Sequence, residues 1–297
     1  MTLAPRWRTL VRIAGWTLLA ASTIFLAVVA RQHWDAISAM ALSPAQWLVL
    51  AGLAIGYGVS LLLVAAGWHW VLALAGAGSP GRAHSMRAHA TAQLAKYVPG
   101  NVFHLVGRHL IHRQAGMDDV RLAKAALAEI VLLLAAAVTI VAACLLAAMP
   151  EALRAWAWLA FPALGMAVCG AVVAMWWLCG GALRDALSAW LAYVIFFAVM
   201  GSIVAVIVAM LGGALLPGVA GGGVAAWIAG FVTPGAPGGL GVREAAMVLI
   251  GGEGTSRETL VVAAALLRLV TFAGDLVCFA LGNLLFRDGA APSACTS

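Results

Sequence analysis

The sequence predicts an all-α polytopic membrane protein, with about six transmembrane helices, two re-entrant helical hairpins and an inverted repeat. Three observations predict it. Of 297 residues, 64% are hydrophobic and only 9% are Asp, Glu, Lys or Arg, where a soluble domain carries about 25% charge. The apolar residues fall in runs long enough to cross a ~30 Å bilayer core as helices. Two further stretches, each broken at Pro-Gly, lie at equivalent places in the two halves of the chain. Disorder, collagen and coiled coil are excluded by the hydrophobicity and by glycines with no period of three. The expected unit is a single integral membrane domain over residues 1–297.

The first apolar run follows Arg6, Arg8 and Arg12 and extends from Ile13 to Ala30. A signal peptide has the same order of features, but its apolar region is only ~7–15 residues, so this run is taken as an uncleaved anchor helix. Six segments qualify as spans, at about 11–30, 47–76, 120–148, 156–179, 187–212 and 258–286. Trp16, Trp34, Trp47, Trp68, Trp70, Trp156, Trp158, Trp176, Trp177 and Trp190 fall mostly near span ends, where indole rings anchor in the interface. Cys144, Cys169, Cys179, Cys278 and Cys295 form no CxxC pair and suggest neither a disulfide framework nor a zinc site.

The two remaining stretches, about 84–115 and 218–251, are each a helix, a Pro-Gly break and a second helix. An arm of ~10–15 residues reaches mid-bilayer without crossing it, and broken backbone at that depth must be covered by protein or face a water-filled cavity. Both are read as re-entrant. The competing readings are a surface amphipathic helix for the first and a broken seventh span for the second.

Net charge is +6. Its distribution argues against nucleic acid, because the basic residues lie in loops beside apolar spans. With an inner N-terminus and both hairpins returning to their own side, the inner face receives twelve basic residues and the outer face Arg31, Arg154, Arg243 and Arg257. That bias places both termini on the cytoplasmic side, and the membrane expected is a bacterial inner membrane. Each half then crosses three times, so the first repeat, about 11–148, and the second, about 156–286, have opposite orientation. Pro99-Gly100 and Arg108 echo Pro234-Gly235 and Arg243 at identical spacing.

The arms after the breaks suggest anion sites. Asn101 can cap the first and Val242-Arg243-Glu244 opens the second, so free N–H groups and an arginine would meet lipid phosphate. The plain alternative is a turn with arginines snorkelling to the interface. Glu129 lies about 15 Å into its span, near the midplane. Arg268 and Asp275 share a face, but ~10 Å of rise separates them, so each is expected to pair with another segment. Such charges line an interior path or fix packing. His84, His89, His104, His109 and His112 are read as polar-face histidines at the inner interface, since no metal motif accompanies them. No P-loop, GxSxG or catalytic carboxylate pair is present, so no enzyme, metal or cofactor is expected.

The segments QLAKYVPGNVFHLVGR and TPGAPGGLGVREAA resemble the two signature segments of the flippase-like membrane domain of lysylphosphatidylglycerol synthases. The resemblance rests on Lys96, Tyr97, Pro99, Gly100, Gly107 and Arg108 in the first, and on Pro237, Gly238, Gly239, Gly241, Arg243 and Glu244 in the second. Glu129 in the following span, and Arg268 with Gly282 in the last, also fit. It implies a lipid-translocation protein whose headgroup site uses Lys96, Tyr97, Pro99, Gly100, Arg108, Gly239, Gly241, Arg243 and Glu244. Glu129, Arg268 and Asp275 are the intramembrane charges. Only Arg287 to Ser297 follow Phe286, so the family's aminoacyltransferase, and with it lysyl transfer, is not expected. The expected function is movement of an anionic or aminoacylated phospholipid, or a lipid-linked substrate, between leaflets. The alternative is a non-transporting scaffold for a cell-envelope enzyme. Expected partners are membrane lipids, with a second copy of the chain or an envelope enzyme as protein partner.

Overall fold

Leu-, Ala- and Val-rich runs wind into helices because a bilayer leaves the backbone no other donors and acceptors. A computed structural model describes residue 31 and residues 42–78, 81–97, 103–149, 151–213, 216–233, 241–250 and 255–286, with backbone alone for 151–160. The long helices are α1 (Pro44–Leu74), α4 (Asp119–Ala148), α5 (Glu151–Cys179), α6 (Leu183–Met210) and α9 (Arg257–Leu285). Each contains a stretch long and apolar enough to cross a membrane, that of α5 being Phe161–Cys179. They begin one to five residues earlier than the apolar runs predict, because polar first turns extend them. Ser43 caps α1 in a reciprocal box with Gln46, Asp118 accepts from the Arg121 N–H, and Ser256 accepts from the Thr259 N–H. The predicted span at 11–30 lies outside the described residues.

Between α1 and α4 the chain forms α2 (Arg82–Ala92), a 3₁₀ turn over Gln93–Tyr97, and α3 (Phe103–Gln114). Between α6 and α9 it forms α7 (Pro217–Val232) and α8 (Val242–Ile250). These four helices, of 11, 12, 16 and 9 residues, are about 14–24 Å long, too short to cross. The breaks at 98–102 and 234–240 lie outside the described residues.

The packing of the two halves matches. Helix α1 packs on α9 as α6 does on α4, α2 on α9 as α7 on α4, and α3 on α4 as α8 on α9. The contacts within each half, α1 with α2 and α4, recur as α6 with α7 and α9, while α1 and α6 pack on each other. Helix α6 forms the centre, with Tyr193 and Phe197 fully buried. Only 11% of the apolar window of α5 is buried, which sets that helix at the periphery. Helices α1 and α9 cross closely: a side chain at Gly58 would stand 2.6 Å from the Gly274 carbonyl oxygen. Small residues at such a crossing let two backbones touch.

Candidate functional site

Both broken helix pairs end on one central cavity of about 100 Å³, room for several waters or a small oxyanion. Lys96, Tyr97 and Arg108 line it from the first pair, Arg243 from the second, and Glu129 and Arg268 from α4 and α9. Tyr57, Phe196 and Trp227 supply apolar wall. In a chain so poor in charge, this concentration is the distinctive feature of the interior.

Three ion pairs account for most of it. Arg108, 3% exposed, meets Glu129 with both prongs of its guanidinium: Nη1 donates to Oε1 at 2.7 Å and Nη2 to Oε2. Its other face is covered by Trp68, whose ring centroid is 3.6 Å from the guanidinium carbon, a cation–π contact. Lys96 Nζ donates to Asp275 Oδ1 at 2.7 Å, and the Tyr97 hydroxyl donates to Oδ2. Arg268 Nε donates to Glu244 Oε1 at 2.5 Å. Every pair joins different segments, so each ties a broken helix pair to a long helix.

Arg243 differs. Among the described residues it has neither a hydrogen bond nor a carboxylate within ion-pair distance, and its Nε is buried without a partner. The centroid of the Trp227 ring lies 5.8 Å from its guanidinium carbon. Gly230 makes room for its stem, since a side chain there would run into the Arg243 methylenes.

His89 completes the wall. Its Nδ1 lies 2.8 Å from Arg108 Nη1. Arginine can only donate, so Nδ1 accepts, and the ring is neutral with its proton on Nε2. That Nε2 is buried with no partner among the described residues, as are His104 Nδ1 and Glu244 Oε2.

Of the residues expected at the site, Lys96, Tyr97, Arg108, Arg243, Glu244, Glu129, Arg268 and Asp275 come together here. Gly241 stands in the turn that opens α8, with φ of +74°, a conformation that favours glycine. Pro99, Gly100 and Gly239 lie outside the described residues. Arg268 and Asp275 find partners on other segments, as their separation along α9 requires. Two expectations need correction. His89 and His112 are buried rather than on a polar face: His112 Nδ1 donates to the Arg108 carbonyl at 2.9 Å and its Nε2 accepts from the Trp68 indole at 3.4 Å. Trp68, expected as an interfacial anchor, is 2% exposed because it covers Arg108. The sequence held one signal for His89. With Gln93 and Lys96 it lies at i, i+4 and i+7, one helical face, and all three line the cavity.

Comparison with protein-family models, with curated proteins and with solved structures finds no match.

Proposed function

We propose that this protein moves an anionic phospholipid, or a lipid-linked substrate, between the leaflets of the bacterial inner membrane. The observation that carries the reading is Arg243, a guanidinium without a carboxylate partner among the described residues, beside a cavity shared by both broken helix pairs. Unpaired charge at membrane depth is costly. A lipid phosphate supplies the missing acceptor.

In this reading the two broken pairs are re-entrant hairpins that enter from opposite faces, and the halves are inverted repeats. The matched packing of the two halves supports it, as does the resemblance of the Lys96–Arg108 and Pro237–Glu244 segments to the lysylphosphatidylglycerol synthase flippase-like domain. Sites at such repeat interfaces suit alternating access. The Lys96–Asp275 and Arg268–Glu244 pairs are the contacts that rearrange as one hairpin and then the other opens. Arg108 serves chiefly to hold Glu129 and shape the wall, so Arg243 is the sharper probe. The protein acts as a transporter, not an enzyme.

The test is leaflet-resolved quenching of a fluorescent phosphatidylglycerol in proteoliposomes. Wild type is expected to move lipid, and Arg243→Gln to slow it about tenfold or more, the worth of a charged hydrogen bond. Wild-type protein that moves no lipid would favour a scaffold role; Arg243→Gln protein moving lipid at the wild-type rate would remove the headgroup clamp.

A further inference from the structure

We infer that the cavity selects a phosphodiester headgroup over a phosphomonoester, with His89 and Arg243 each donating to one of its oxygens. This rests on the proposed lipid reading for the source of the phosphate and on the geometry for the rest. The charges lining the cavity or pairing with its lining cancel in three places: Lys96 with Asp275, Arg108 with Glu129, and Arg268 with Glu244. Among the described residues Arg243 leaves a surplus of one positive charge. A phosphodiester carries one negative charge and balances it. A phosphomonoester carries close to two at neutral pH and leaves one uncompensated in a low-dielectric interior, where an unpaired charge is strongly disfavoured.

His89 reads the same ligand without changing that sum. Its side chain is 7% exposed, and it lines the cavity. Because Nδ1 is engaged by Arg108, the ring presents Nε2–H, a neutral donor buried without an acceptor among the described residues. Buried polar groups of this kind find a partner in nearly all folded proteins. The cavity therefore has a donor from each broken helix pair, the neutral His89 Nε2–H on the first and the charged Arg243 on the second. A phosphodiester has two non-bridging oxygens to meet them. Glu244 Oε2, also without a partner, borders the smaller adjoining cavity and tolerates a headgroup that adds an ammonium, which leaves the phosphodiester choice unchanged.

The experiment is equilibrium binding to the purified full-length chain in detergent at pH 8. The probes are dihexanoylphosphatidylglycerol, dihexanoylphosphatidate, glycerophosphoglycerol and inorganic phosphate. The diester lipid is expected to bind about tenfold or more tightly than the monoester lipid. His89→Leu is expected to weaken the diester about tenfold, and His89→Gln, which keeps a donor, to stay within about threefold of wild type. Equal affinity for the two lipids overturns the inference on wild-type protein alone, whatever the variants do. So does unchanged diester binding by a His89→Leu protein with a wild-type melting profile. Glycerophosphoglycerol binding as tightly as the lipid, with inorganic phosphate weak, would keep the phosphodiester site and remove its lipid source. Binding is read without translocation, so a protein that binds the diester and moves no lipid fails the transport reading alone.

Discussion

Glu129→Ala is expected to cost about 3–5 kcal/mol of stability, the usual result of removing one partner of a buried ion pair. Arg108 is 3% exposed and both prongs of its guanidinium are committed to Glu129. With the carboxylate gone, its charge has only the His89 ring nitrogen and the face of Trp68 for company. Neither carries a compensating charge. The loss reaches beyond one contact, because Arg108 sits on α3 and Glu129 on α4. The measurement is thermal unfolding of purified protein in detergent, with monodispersity by size exclusion. The double substitution Arg108→Leu with Glu129→Leu is expected to recover most of the loss, since it removes both charges and leaves apolar side chains. A Glu129→Ala protein as stable as wild type would show that Arg108 has access to another anion or to bulk water.

Gly58→Val is expected to be nearly as severe, at about 3 kcal/mol, the upper end of overpacking costs. A Cβ at Gly58 would lie 2.6 Å from the Gly274 carbonyl oxygen and 2.7 Å from Val277 Cβ. A rotamer change moves the Val277 methyls but not its Cβ, and neither that Cβ nor the carbonyl oxygen can move without moving α9. Asp275 follows Gly274 directly, so parting α1 from α9 also pulls the carboxylate from Lys96 and Tyr97. If the proposed lipid transport holds, the variant loses lipid movement along with stability. Gly56→Val is the control: it lies on the same helix with nothing within 4 Å of the added Cβ, and its melting temperature should stay near wild type. Equal behaviour of the two variants would mean that the helices cross more loosely than described.

Much of this arrangement was legible in the residues. Long apolar runs place five helices to within five residues at each end, because a membrane enforces both length and composition. The charges were legible for the converse reason: Glu129, Arg268 and Asp275 stand out in apolar surroundings, and their cost implies partners. Which partners was not. Lys96 meeting Asp275 spans 179 positions, and nothing local to either residue encodes that meeting. Arg108 looked equivalent to Arg243 by spacing. Only tertiary packing separates them, since Glu129 reaches the first and no described carboxylate reaches the second. The sequence neighbourhood of Trp68 and His112 resembles an interface, while their burial is decided by Arg108, forty residues from Trp68.

The most direct test of the central claim, that the two broken helix pairs enter from opposite faces, is single-cysteine labelling of intact cells with a membrane-impermeant maleimide. The native cysteines are replaced, and probes are placed at exposed positions flanking each pair: Ala83 and Ala115 for the first, Leu216 and Glu258 for the second. Leu216→Cys and Glu258→Cys are expected to label from outside, and Ala83→Cys and Ala115→Cys only after permeabilisation. Labelling of the two flanks of either pair from opposite sides would make that pair a crossing and contradict the inverted arrangement on which the shared cavity depends.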